Sequence, residues 1–84
     1  MIINWTKHAV ERQKEWEQKL GITRQEIENL LIEPEQVVPG DLAALVAQKR
    51  RGNGLLRVPC IEAGEERKIL TVYWTSAAPI NICY

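Results

Sequence analysis

The apolar positions of this chain recur with a helical period in its first third and with a strand period beyond it. Thr6 offers an N-cap, and Ala9, Gln13, Trp16 and Leu20 follow three or four residues apart. That largely apolar stripe lies beside a polar one of His8, Arg12, Glu15 and Lys19, and Gly21 supplies the stop. Thr23-Arg24-Gln25-Glu26 is a capping box, with Ile27, Leu30 and Leu31 behind it at helical spacing. Pro34 ends this second helix, because the residue before a proline is driven out of the helical region. Only Gly21-Ile22 separates the two helices, so they form an antiparallel or angled hairpin.

After Pro39-Gly40 the period becomes two. Residues 42–50, 55–61 and 67–75 read as strands, parted by Gly52-Asn53-Gly54 and Ala63-Gly64-Glu65, both of them hairpin signals. Pro59 has no N–H to donate, so the middle strand bulges there or leaves a ladder bond unmade. Residues 2–5 add a short strand beside the sheet. The predicted fold is a single α+β domain, an N-terminal helical hairpin packed on one face of a three- to four-stranded antiparallel sheet.

Register carries the reading further. Leu56, Val58 and Cys60 on the middle strand, and Leu70, Val72 and Trp74 on the last, form the apolar sets. Matching them across the Ala63-Gly64-Glu65 loop sets Arg57 opposite Thr71 or Tyr73, and an Asn53-Gly54 turn sets Arg50 opposite Arg57. Facing arginines need an anion or a carboxylate between them, so Arg50, Arg57 and Tyr73 form a candidate row.

The composition narrows the function classes. Eighty-four residues bury only roughly 60–70% of their unfolded surface, which calls for a two-layer core. Eleven Lys and Arg balance eleven Asp and Glu, so any nucleic-acid contact must come from a local patch. No apolar run approaches the roughly 20 residues of a membrane span, and Met1-Ile2-Ile3-Asn4-Trp5 lacks the pattern of a secretion signal. A cytoplasmic location is expected, with no membrane partner. Cys60 and Cys83 have no CxxC spacing and the chain has one histidine, so neither zinc nor any other cofactor is expected. The cysteines read as small buried hydrophobes, with redox pairing as the alternative.

The chemistry-bearing residues support two readings. Metal-free RNA cleavage needs a proton acceptor, a proton donor and cations on the phosphate. His8 near a helix N-terminus is biased toward its neutral form, as a base requires. Arg12, Arg50 and Arg57 suit a phosphate clamp, and Tyr73 suits proton donation or stacking on a base. The candidate catalytic set is therefore His8, Arg12, Arg57 and Tyr73, and the candidate RNA-binding set is Lys49, Arg50, Arg51 and Arg57. Each has a structural alternative. For His8 it is a capping or packing ring hydrogen-bonded to the sheet or the N-terminal strand, for Arg12 an ion pair with Glu11, Glu15 or Glu28, and for the strand arginines a solvated face with Glu62 or Glu66 nearby. The competing function is a non-catalytic protein-binding module. Trp5 and the tail Ile80-Asn81-Ile82 are its exposed contacts, while Trp16 and Trp74 fill the core.

Several short motifs occur in a fixed order: His8-Ala9-x-x-Arg12, Gly21-Ile22-Thr23-x-x-Glu26-Ile27, Pro34-Glu35, Leu56-Arg57-Val58 and Leu70-Thr71-Val72-Tyr73. Together they resemble the small bacterial family known as domain of unknown function 4258, which is itself similar to the RelE/ParE toxins. The resemblance implies a RelE-like fold and a toxin-like domain that binds RNA or cleaves it without a metal. Its implied partners are RNA or a protein target, and an antitoxin-like protein that restrains it. Members of the family tend to end in a basic-aromatic element, and this chain keeps Tyr84 but has Cys83 before it. That difference, with the neutral net charge, weighs against cleavage.

Overall fold

The computed structural model describes residues 1–76, and the tail with Ile80, Asn81, Ile82, Cys83 and Tyr84 lies outside the described residues. Strand β1 (Ile2–Trp5) leads into helix α1 (Lys7–Leu20) and helix α2 (Arg24–Ile32). Strands β2 (Gln36–Pro39), β3 (Leu45–Arg51), β4 (Gly54–Ala63), β5 (Glu66–Ile69) and β6 (Tyr73–Ser76) follow.

Both helices begin and end where their caps direct. The Thr6 side chain accepts the Ala9 N–H, the Thr23 side chain accepts the Glu26 N–H, and Gly21 closes α1 at φ 73°, in the left-handed region that glycine enters without strain. Ala9, Ile22, Ile27, Leu30 and Leu31 then meet Ala47, Leu56, Val58, Cys60, Ile69 and Val72 in one dry core. Every β3 and β4 residue in that set comes from one side of the pleat, so both helices lie on the same face of the sheet.

The sheet corrects the expected architecture. Among the described residues it has six strands rather than three or four, and it is mixed rather than antiparallel, in the order β1-β5-β4-β3-β2 with β6 also on β4. Three physical causes account for the difference. First, β1 pairs with β5 in parallel, because the helical hairpin carries the chain away before it returns at the same end. Second, Gln36–Pro39 is an edge strand on β3; Pro34 just before it and Pro39 at its end disguise it in the sequence as a connection, yet an edge is where a strand tolerates proline. The strand expected from residue 42 starts only at Leu45, since Leu42 and Ala43 adopt φ 51° and 65° in a tight turn closed by the Gly40 N–H on the Ala44 carbonyl.

Third, the strand expected over 67–75 is broken. Cys60 faces Ile69 and Arg57 faces Tyr73, so Val58 and Pro59 on β4 are spanned by the three residues Leu70, Thr71 and Val72. This one-residue bulge sits beside Pro59, which has no N–H for the ladder; the Pro59 carbonyl instead accepts the Leu70 N–H at 2.9 Å. The carbonyls freed by the bulge are taken from the helical layer. The Thr6 hydroxyl lies 2.8 Å from the Ile69 oxygen and 3.3 Å from that of Leu70, and the Trp16 indole N–H donates to the Val72 carbonyl. An extra residue exchanges the two faces. Ile69, expected to point with Tyr73, is instead fully buried beneath the helices, while Leu70, expected in the core, lies half-buried on the opposite side.

The β3–β4 turn also differs from expectation. Arg51 pairs with Gly54, so the loop is Gly52-Asn53, with Gly52 at φ 64° in its first central position. Gly54 belongs to the strand because Trp74 lies across it: a Cβ there would overlap the Trp74 ring and the Thr75 carbonyl. Arg50 consequently faces Leu55, and the expected Arg50–Arg57 pairing does not form.

Candidate functional site

The side of the sheet without helices carries Gln36, Gln48, Arg57 and Tyr73 in one row, across β2, β3, β4 and β6. Gln48 lies opposite both Gln36 and Arg57, and Arg57 lies opposite Tyr73. Hydrogen bonds follow the register. The Arg57 Nε–H donates to Gln48 Oε1 at 3.0 Å, and Gln48 Nε2 donates to Gln36 Oε1 at 2.8 Å. The Arg57 guanidinium sits over the Tyr73 ring, 5.6 Å from its centre, within the range of a cation–π contact.

Beside this row is an open groove of about 650 Å³. Val46, Pro59 and Ile61 line it together with Arg57, the bulge residues Leu70 and Thr71 contribute with Tyr73, and Pro39 to Leu42 contribute from the β2–β3 loop. The bulge and the positive-φ turn therefore both border the groove. Its lining is apolar apart from Arg57, Tyr73, Thr71 and the Asp41 carboxylate.

Ion pairing distinguishes Arg57 from half of the arginines. Arg12 pairs with Glu15 at 2.9 Å, Arg51 with Glu26 at 2.9 Å, and Arg67 with Glu62. Arg24 lies over the Trp5 ring. Arg57 is half-buried, yet among the described residues no carboxylate comes within ion-pair distance of it; a neutral amide and a ring hold it in place. Part-burying a cation without a counter-ion is unfavourable, so the position favours an incoming anion.

The other expected site residues are dispersed. His8 and Arg12 are exposed on α1, whose inward side carries Ala9 and Gln13. Because α1 packs on the face carrying Leu56, Val58 and Trp74, the sheet separates His8 from Arg57 and Tyr73. The basic triplet is split by strand alternation. By register Arg50 shares the open side with Arg57, whereas Lys49 and Arg51 point toward α2; all three border a cleft of about 340 Å³ with Thr23, Glu26 and Asn29. Within it Arg51 is already neutralised by Glu26. Trp5, expected as an exposed contact, packs against the core and donates its indole N–H to Glu28 at 2.9 Å. Cys60 is a buried thiol, its pKa raised chiefly by burial, with nearby Arg67 opposing and Glu62 reinforcing the shift.

Sequence reasoning did not identify Gln48 or Gln36. Their signal is positional, since both join Arg57 only once Gln36–Pro39 is recognised as a strand. Compared with protein-family models, curated proteins and solved structures, the chain matches none. Among the described residues, no helix is long and apolar enough to cross a membrane.

Proposed function

We propose that this domain binds single-stranded RNA on the open side of its sheet, in keeping with a toxin-like role. Arg57 carries the reading, as a half-buried guanidinium that has no carboxylate partner among the described residues and lies beside an aromatic ring and a groove. A phosphate supplies the missing negative charge, a base stacks on Tyr73, and exposed Arg50 is a second cation on the same side, with the Glu35 carboxylate on its backbone N–H. The reading is one of binding. His8 lies on the far side of the sheet, so a cleavage step that pairs it with Arg57 has no geometric support.

The test is anisotropy of a short labelled single-stranded RNA at low salt, where phosphate contacts are strongest. Arg57→Ala is expected to weaken binding about tenfold or more, as loss of a charge-assisted contact does. His8→Ala is expected to leave binding unchanged. Equal affinity in the Arg57→Ala and wild-type proteins overturns the reading. Growth arrest on expression, relieved by Arg57→Ala, tests the toxin-like role itself.

One observation favours a protein partner as a second reading. Leu42 is 96% exposed at the groove while held at φ 51°, a left-handed conformation that costs a side-chain-bearing residue about 1–2 kcal/mol. Leu42→Asp is expected to spare RNA binding and to abolish capture of an antitoxin-like partner; intact capture by this variant removes the second reading.

A further inference from the structure

We infer that Gln48, held by Gln36, is a positioning residue that makes Arg57 present its two terminal nitrogens, Nη1 and Nη2, end-on to a phosphate. The inference rests on the anion-binding reading of Arg57 and adds how the anion is held.

A guanidinium offers a carboxylate or phosphate two bidentate edges, one formed by Nε and a terminal nitrogen, the other by both terminal nitrogens. In this protein the first edge is occupied, because the Nε–H is donated to Gln48 Oε1 at 3.0 Å. The polarity of the amide chain follows from Arg57. A guanidinium has donors only, so Gln48 must turn its oxygen toward Arg57 and its NH2 toward Gln36, whose oxygen accepts it at 2.8 Å. Each amide is thereby fixed in one orientation. Gln48 is 9% exposed, so little water is available to replace Arg57 as its partner. Tyr73 supports the guanidinium from its ring face, which restrains its plane, and the Nη1–Nη2 edge is left for an anion. A neutral acceptor serves this purpose where a carboxylate does not: it orients the cation without cancelling its charge. The three ion-paired arginines of the fold show the alternative.

The experiment combines arginine side-chain NMR with binding, using inorganic phosphate and then single-stranded RNA as probes. In the wild-type protein the Arg57 Nε–H is expected to exchange slowly, and phosphate is expected to shift the Nη resonances more than Nε. Gln48→Leu should lose the slow Nε–H exchange and weaken RNA binding about fivefold, the scale of immobilising one side chain on binding. Gln48→Glu separates orientation from charge. It retains an acceptor for Nε and hence the slow exchange, but it neutralises Arg57, so RNA affinity should fall at least as far and the salt slope should decrease by about 0.7. Gln36→Leu should show a weaker form of the Gln48→Leu result. A Gln48 that only stabilises the sheet would leave affinity and salt slope unchanged in Gln48→Glu, and that result overturns the proposal. So does phosphate that shifts Nε as strongly as Nη, or that moves no Arg57 nitrogen. Phosphate on the fork without RNA binding refutes only the RNA reading.

Discussion

The two sides of the sheet are built from alternate residues of the same strands and follow opposite physical rules. On the helix side, Leu56, Val58 and Ile69 are almost completely excluded from water, and close packing alone specifies the arrangement. On the open side, neighbouring Arg57, Tyr73 and Pro59 are half-exposed, and hydrogen-bond polarity specifies the arrangement instead. The first side gives stability without chemical selectivity. The second spends part of that stability on keeping an unneutralised cation in place.

Substitutions across the two sides test this division, beginning with the largest expected effect. Ile69→Ala removes a fully buried side chain and should cost about 2–5 kcal/mol in urea unfolding. Ile61→Ala, at a residue 38% exposed on the open side, should cost less than about 1.5 kcal/mol; equal losses would remove the distinction. Gly54→Ala forces a methyl group against the Trp74 ring and the Thr75 carbonyl, and should cost about 1–3 kcal/mol with a change in tryptophan fluorescence. Thr6→Val removes both the α1 cap and the hydroxyl donor to the bulge carbonyls, for about 1–2 kcal/mol. Its sharper signature is faster hydrogen exchange at Leu70, whose N–H the bulge holds on Pro59.

The smallest effects concern Cys60 and Arg12. The raised Cys60 pKa means that the folded chain keeps a proton which the unfolded chain loses near the ordinary thiol value of 9.0. Stability from this source is therefore complete below that pH and is lost as pH rises from there through the raised pKa of the folded chain. The decline should be shallower in Cys60→Ala, measured as the difference between the two urea midpoints across pH. Arg12→Ala breaks an exposed ion pair and should change stability by less than about 1 kcal/mol, with RNA binding unaffected. A loss of RNA binding there would move the site to α1.

The helices were legible in the sequence because their signals are local. Thr6, Gly21, Thr23 and Pro34 each act on the residues beside them, whatever the rest of the chain does. The sheet was legible only in part. Matching the strands leaves Arg57 opposite Thr71 or Tyr73, and the bulge is what selects Tyr73; its partner on β3 is Gln48 rather than Arg50, because Trp74 needs Gly54 in the strand and moves the turn back by one residue. The buried Ile69 was placed on the wrong side because simple alternation cannot anticipate an inserted residue, although Pro59 marks where the ladder must yield. The parallel β1–β5 pairing leaves no local signal at all. It depends on residues more than sixty positions apart, so no short-range pattern encodes it.

The same separation bears on how the molecule is made. Ile2–Trp5 is made long before its partner strand Glu66–Ile69, and the Thr6 hydroxyl waits equally long for the carbonyl of Ile69, 63 residues ahead. Helices and the β3–β4 hairpin can form on the ribosome in the meantime, since their contacts are local. Tyr73 comes later still, so a nascent or truncated chain holds Arg57 without its ring and without the bulge that borders the groove. That side of the sheet is consequently completed late, and a chain stopped before Tyr73 lacks the ring over which the Arg57 guanidinium sits.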